Sequence, residues 1–308
     1  MGALLIPLGW IAATVAVAGA LGWAVRALLA RLARGPVARS LRTMPLSAAF
    51  GLAVIGLYVL AGLFAPWIAP YGEREVVGAA YEPRGPEFWL GTDNLGRDLW
   101  SRLVFGARNT VGIAFVTTAL AFGAGAVLGL VAAAVGGWLD QVLSRAVDVL
   151  MAIPALILAL LLLTLLGPSI PNMIVVLALI DATRVFRLAR AVAMDIVVMD
   201  YVEAARLRGE GLWRIVSREV LPNAMAPLVA EFGLRFCFVF LSISALSFLG
   251  LGIQPPTADW GSMVRDTATL ITFGDPTPLW PAGAIALLTV GVNFVVDWQL
   301  HRASGLKD

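Results

Sequence analysis

The sequence predicts an all-α, polytopic integral membrane protein with about seven transmembrane helices. Of its 308 residues, 60% are hydrophobic and only 14% are charged, whereas a soluble domain has about 25% charged residues. These charges are too few to cover a compact soluble fold, and the high hydrophobicity excludes a disordered chain. The 22 basic and 20 acidic residues nearly cancel, so the chain lacks the basic excess with which nucleic-acid binders neutralise phosphates.

Long apolar segments place the predicted helices. A membrane-spanning helix needs about 20 predominantly apolar residues, whereas a membrane β-barrel shows alternating segments of about 10 residues. The segments here are continuously apolar, which favours helices. Gly167, Pro168 and Pro171 divide one long run into two spans. The predicted spans are 3–25, 43–72, 109–139, 145–166, 172–192, 224–250 and 276–296.

Basic residues are distributed unequally between the two sides of these helices. With seven spans, fifteen lie on one side and six on the other, and the positive-inside rule places the richer side in the cytoplasm. The N-terminus is then outside. The predicted parts are an extra N-terminal helix and basic cytoplasmic stretch in 1–42, a helix in 43–72, an external segment 73–108, a membrane core 109–302, and a cytoplasmic tail 303–308.

The external segment 73–108 contains a short motif rich in turn-forming residues. Thr92 or Asp93 is expected to cap a short helix on the membrane surface. A calcium loop is disfavoured, because the ligand spacing and the distal Glu of an EF-hand are missing.

The longest cytoplasmic loop predicts two short helices. Asp200 and Glu203 have the spacing of a capping box, and Gly209 allows the chain to bend. In the second helix, Leu212 lies on an apolar face and Arg214 on a charged one. From the residues alone, this loop is either an amphipathic segment on the lipid headgroups or a docking element for a soluble cytoplasmic partner.

Two glycines in the third predicted span form a G-x-x-x-G pair. Gly125 and Gly129 indicate close helix packing in a membrane. The surrounding glycines do not match a dinucleotide-binding fingerprint, because the spacing differs and no strand precedes them.

The same cytoplasmic loop contains a recognisable motif. Its members are Glu203-Ala204-Ala205, Gly209 and, later, Leu221-Pro222. This pattern resembles the EAA motif of permease subunits of type I, binding-protein-dependent ABC importers of bacteria. The segments LFAPWIAP at 63–70, GTDNLGRD at 91–98 and LSFLGLGIQPP at 246–256 resemble the oligopeptide/dipeptide/nickel branch. The resemblance covers about 43–300, and the usual six-helix subunit of this branch lacks the span 3–25.

The resemblance implies a function and a set of partners. Such a permease pairs with a sister permease, contacts two cytoplasmic ATPase subunits that bind ATP and Mg, and receives solute from an extracytoplasmic binding protein. It lies in the bacterial inner membrane and imports peptides, nickel complexes or related small solutes by alternating access. The loop 194–222 is then the ATPase-coupling loop. Its candidate residues are Glu203, Ala204, Ala205, Gly209, Leu212, Arg214, Leu221 and Pro222.

Two charged residues lie inside the sixth predicted span. Glu231 and Arg235 are four residues apart and can pair on one helix face. Charge inside a membrane costs about 2.5–3.5 kcal/mol on insertion scales and usually faces a cavity or a partner. The pair is expected either to line the translocation path or permease interface, with Ser242 and Ser244, or to be purely structural; small hydroxyls in such helices are often packing contacts.

The chain itself offers little for catalysis or metal binding. Its one lysine, Lys307, follows no glycine-rich loop, so ATP would have to bind another subunit. With one histidine and one cysteine, neither a metal site nor a catalytic site is expected, and no cofactor of its own. The alternative function is a stand-alone secondary transporter or channel, but the inverted repeat typical of such transporters is not evident.

Overall fold

A computed structural model describes residues 20, 22–24, 26–27 and 44–303. The predicted first span, 3–25, lies almost wholly outside the described residues, as does nearly all of the tail 303–308. The described part is helical apart from loops and two isolated antiparallel bridges. The all-α prediction is therefore confirmed.

The helices follow one another along the chain with short connections, except at two longer external segments. They are α1 Leu46–Leu63, α2 Ala65–Ile68, α3 Leu99–Gly106, α4 Gly112–Val135, α5 Gly137–Ala152, α6 Ala155–Leu166, α7 Ile170–Val197, α8 Asp200–Leu207, α9 Leu212–Arg214, α10 Leu221–Phe248, α11 Trp260–Thr267 and α12 Leu279–Ala303.

Two π-helical segments join helices into longer ones. Ala107–Val111 links α3 to α4, and Ile215–Val220 links α9 to α10. Among the described residues, four helices are long and apolar enough to cross a membrane: Leu46–Leu63, Leu99–Val135, Leu212–Phe248 and Leu279–Arg302. The 28 residues of α7 extend about 42 Å, which is also sufficient to cross.

The helix boundaries differ from the prediction at the outer side. α1 ends at Leu63, and the short α2, with Pro66 in its first turn, follows it. The external segment ends earlier than predicted, because α3 begins at Leu99 and continues directly into the span.

The prediction of a single helix over 145–166 is wrong. α5 and α6 meet at a break and are bent by 89°. Pro154 causes the break, since proline lacks the amide that the helix needs and drives the preceding residue out of the helical region; Ile153 has φ −89° and ψ 130°. α5 therefore does not continue the axis of α6, and none of its described side chains is buried.

The G-x-x-x-G pair packs α4 against α7, as predicted. A Cβ atom built on Gly125 would lie 2.5 Å from the carbonyl oxygen of Ala182. One built on Gly129 would lie 2.6 Å from the carbonyl oxygen of Phe186 and 2.9 Å from the Cβ of Ala189. Only glycine permits this approach of the two backbones.

Trp260 joins several helices at the outer side. Its indole Nε1 donates a hydrogen bond of 2.9 Å to the carbonyl oxygen of Leu103. Its ring lies edge-on to Tyr58 of α1 and Phe240 of α10, with centroids 5.2 and 6.1 Å away. A Cβ atom on Gly106 would lie 2.5 Å from the indole ring, so the glycine makes room for this side chain.

We predict that Gly129→Ala lowers the melting temperature of the detergent-purified protein. The added methyl group would overlap backbone atoms of α7, and overpacking of this kind costs about 1–3 kcal/mol. Gly123→Ala is the matched control on the same helix, because its Cβ would meet nothing within 4 Å. Equal melting temperatures for the two variants would contradict the close packing of α4 on α7.

Candidate functional site: the loop between α7 and α10 and an intramembrane charge cluster

The loop between α7 and α10 begins with α8, whose N-terminus differs from the prediction. Asp200 is the first helical residue, and the cap is Met199, which makes no side-chain capping bond. The amides of Val202 and Glu203 donate instead to the carbonyl oxygen of Met199, at 2.9 and 3.2 Å. The predicted capping box is therefore wrong, and Asp200 and Glu203 occupy the first turn, where the helix dipole favours carboxylates.

Gly209 closes α8 with a left-handed turn. Its φ is +78°, and its amide donates to the carbonyl oxygen of Arg206 at 2.9 Å. The next amide, of Glu210, donates to the carbonyl oxygen of Ala205 at 3.1 Å. These two bonds form a Schellman motif, which gives a physical reason for the glycine at this distance from the Glu-Ala-Ala sequence.

The loop has a buried side and an exposed side. Val202 and Ala205 are fully buried against Val216 and Val220, which fixes α8 on the inner end of the bundle. Two large apolar side chains point away, and Leu207 and Trp213 are 83% and 66% exposed. The other predicted loop residues vary: Glu203, Gly209, Leu212, Arg214 and Pro222 are exposed, and Ala204 and Leu221 are half-buried.

The second helix of the loop is not short, contrary to the prediction, because it continues through Leu221 and Pro222. The helix is continuous over Leu212–Phe248. Proline cannot donate the amide hydrogen bond of an α-helix, and the π-helical segment Ile215–Val220 directly precedes it. The change of hydrogen-bond register accommodates the proline without a break.

Between α7 and α10, four charged side chains form an intramembrane cluster. Arg235 Nε lies 2.7 Å from Glu231 Oε1, which confirms the predicted pair. Arg235 Nη1 also lies 3.5 Å from Asp181 Oδ1. The same Asp181 oxygen lies 3.4 Å from Nη1 of Arg184. Two arginines and two carboxylates thus balance each other inside the bundle.

The sequence reasoning missed Asp181 and Arg184. Asp181 is an acidic residue inside the predicted span 172–192, which by itself is a signal of function in a membrane helix. Arg184 follows it by one helical turn. Their meeting with α10 depends on helix packing and has no signature in the sequence.

The two predicted serines have different surroundings. Ser242 borders a small cavity together with Asp181 and Arg184. Ser244 is buried, and its hydroxyl donates to the carbonyl oxygen of Phe240 at 3.0 Å, which is a packing role within the helix. The structure therefore brings Ser242, but not Ser244, next to the charge cluster.

The external segment is held by buried arginines. Asp93 Oδ2 lies 2.7 Å from Arg97 and 3.3 Å from Arg102, and Oδ1 accepts the loop amides of Leu95 and Arg97, so this carboxylate caps no helix. The cap of α3 is Asp98, which accepts a hydrogen bond of 2.8 Å from the Ser101 amide. The predicted cap at Thr92 or Asp93 is thus wrong.

The segments 91–98 and 246–256 are connected through hydrogen bonds of the residues next to them. Arg102 donates to the carbonyl oxygen of Pro256 at 3.3 Å. Thr110 donates to Asp259 at 3.0 Å, and the amide of Ser262 donates to the same carboxylate at 2.8 Å. Complete burial raises the pKa of the Asp259 carboxyl. Arg102 also lies 3.3 Å from Asp93, so this one side chain links the segment 91–98 to the end of the segment 246–256.

We predict that Arg235→Gln destabilises the protein more than Glu231→Gln does. The first change leaves Glu231 without its cation, and an uncompensated buried charge costs about 3–5 kcal/mol. After the second change, Arg235 still faces Asp181. Melting temperatures in detergent measure the difference. Arg208→Gln is the control, since Arg208 is 57% exposed in its pair with Glu210 and a pair of this kind at the surface is worth under about 1 kcal/mol. Equal losses at 231 and 235 would exclude the shared role of Arg235.

Comparison with known proteins places this architecture in a family. Residues 125–303 match the binding-protein-dependent transport system inner membrane component. The chain is 35% identical to the dipeptide transport system permease protein of Alkalihalophilus pseudofirmus over 262 residues, which covers 84% of this chain and 83% of that protein.

Further relatives agree with this assignment. The chain is 37% identical to a di/tripeptide transport system permease protein of Pseudomonas aeruginosa, covering 84% of this chain and 85% of the relative. It is 38% identical to a peptide transport system permease protein of Escherichia coli, covering 80% and 87%. These matches favour the importer over the stand-alone transporter or channel. The chain belongs to the family of binding-protein-dependent transport system inner membrane components, and it is a multi-pass permease subunit of an ATP-driven importer.

Proposed function

We propose that this subunit imports short peptides or related small solutes across the bacterial plasma membrane by alternating access. The names of its relatives, which are permeases for dipeptides, di/tripeptides and peptides, support the substrate class. The observation that carries the mechanism is the exposed loop between α7 and α10, which presents apolar side chains to the solvent.

The partners in this proposal are those of a complete importer. A sister permease pairs with this chain, two ATPase subunits bind at the cytoplasmic loop, and a binding protein delivers solute outside. ATP and Mg bind the ATPase subunits, and this chain contributes no catalytic site and no cofactor.

The loop is suited to pass a movement of the ATPases into the membrane. The exposed Leu207 and Trp213 provide apolar contact for a groove on the partner, and Arg214, 3.5 Å from Glu210, adds charge at the rim. The helix that begins at Leu212 continues to Phe248 and is about 55 Å long. A displacement of the loop therefore moves the helix that carries Glu231 and Arg235. Two-state movement of this kind is a rigid-body switch biased by nucleotide.

We predict that Gly209→Asp uncouples ATP hydrolysis from transport or prevents co-purification of the ATPase subunits. Gly209→Asp places a negative charge on the proposed docking surface. Glu203→Lys reverses a charge on the same surface, so we expect the same defect from it. Gly274→Asp is the matched control for Gly209→Asp, because its φ is +77° and its Cβ would also meet open space, but it lies between α11 and α12, on the proposed external side. Both glycine variants carry a similar backbone strain of about 1–3 kcal/mol.

The coupling assignment is checked by peptide uptake and by co-purification. Normal assembly and uptake in Gly209→Asp would exclude it, and so would an equal defect in Gly274→Asp.

We also predict the orientation of the chain from single-cysteine labelling. The one native cysteine, Cys237, is buried and is replaced by alanine in the background variant. A membrane-impermeant maleimide should label Glu87→Cys in intact spheroplasts and Arg302→Cys only after permeabilisation, since both positions are exposed on opposite sides. The reverse pattern would overturn the proposed orientation.

A further inference from the structure

Arg184 is the member of the intramembrane charge cluster that reaches open space. Its side chain is 37% exposed, whereas those of Asp181, Arg235 and Glu231 are 4%, 11% and 14% exposed. A charged side chain within a membrane faces a water-filled cavity or a protein partner and not lipid, because its exposure to hydrocarbon is costly. The exposed part of Arg184 therefore marks a polar route or a contact surface.

A small cavity borders Arg184 at the meeting point of three helices. Ala155 and Leu156 line it from α6, Ile180 and Asp181 line it from α7, and Ser242 lines it from α10; its volume is about 20 Å³. A space of this size holds about one water molecule and no larger ligand. A ligand would reach Arg184 when α6 moves away, and α6 is joined to α5 only through the right-angled break at 153–154.

The pairing within the cluster leaves Arg184 free to exchange its partner. Among the described residues, its ion pair with Asp181 uses Nη1 alone, at 3.4 Å, while a guanidinium has five donors suited to bidentate binding of a carboxylate. Asp181 is shared with Arg235. If Arg184 turns to another carboxylate, Asp181 keeps a cation, so the exchange does not leave a buried charge uncompensated.

We propose that Arg184 binds the terminal carboxylate of the transported peptide during its passage, in exchange for Asp181. Ser242, which lines the same cavity from α10, offers a hydroxyl to the same carboxylate. The inference rests on the proposed import of peptides, because the free C-terminus is the group that every linear peptide shares. It assigns to this chain a specificity-determining cation within the membrane.

The test compares one peptide with and without its negative charge. The complete importer, with its ATPases, sister permease and binding protein, is reconstituted in proteoliposomes, and ATP-dependent uptake of dialanine and of dialanine amide is measured. The variants are Arg184→Gln, the conservative Arg184→Lys, and the control Arg187→Gln. Arg187 is one turn further along α7, is exposed, and contacts Met151 at 3.7 Å.

We expect Arg184→Gln to lower the ratio of dialanine to dialanine amide uptake about tenfold relative to wild type, as loss of a charge-assisted hydrogen bond would. Arg184→Lys should restore most of the ratio, and Arg187→Gln should not change it. Dividing each ratio by the wild-type ratio removes the preference of the binding protein, which is common to all variants.

Three results would overturn the proposal. An unchanged ratio in Arg184→Gln means that the carboxylate does not meet this side chain. An equal loss of both substrates means a structural role, and loss of the sister permease from the purified complex means that Arg184 contacts that subunit. The proposed function fails separately, if the wild-type complex assembles and hydrolyses ATP but accumulates neither peptide; the substrate role of Arg184 then fails with it.

Discussion

Arg235 lies between Glu231 and Asp181 and ties α7 to α10 in the interior of the bundle. Neither helix can slide or rotate far without leaving a charge unpaired where water is absent, which is expensive. On its other side, α7 is fixed by the close approach of α4 at Gly125 and Gly129. α7 is thus constrained from two directions by different forces, an electrostatic one and a steric one. The loop connects the adjacent ends of α7 and α10, so the packing of these two helices determines its position.

The loop itself combines a fixed base with an exposed tip. The buried Val202 and Ala205 anchor α8, and the Schellman motif at Gly209 sets the direction of the chain after it. The loop is therefore ordered in the chain alone, and in the proposed coupling role a partner would bind it without the entropic cost of folding it. The helix that follows is continuous from Leu212 to Phe248 and therefore connects the tip of the loop to Arg235 without a break.

The sequence predicted best those features that depend on one segment alone. Apolar runs predicted most of the spans, the i,i+4 spacing predicted the pair of Glu231 and Arg235, and the positive-inside rule gave an orientation that labelling can check. The sequence-based prediction failed where the structure depends on contacts between two segments or on hydrogen bonds and geometry of the backbone. The link from Arg235 to Asp181 requires the register of α7 on α10. The break at Pro154 had a signal in the sequence, the proline itself, but the long uncharged run around it favoured one straight helix. The N-cap of α8 is Met199, because its backbone carbonyl already accepts the amide hydrogen bonds that a capping carboxylate would accept.

The position of Trp260 limits how this chain can change shape. Its indole donates a hydrogen bond to the carbonyl oxygen of Leu103, packs on Tyr58 and Phe240, and fills the space next to Gly106. One rigid side chain shared by three helices acts as a pivot, because it cannot follow one helix without displacing the other two. The outer ends of these helices therefore turn together as one body. The amplitude of any rocking about such a pivot grows with distance from it, and it is greatest at the opposite ends of the helices, where the proposed coupling loop lies.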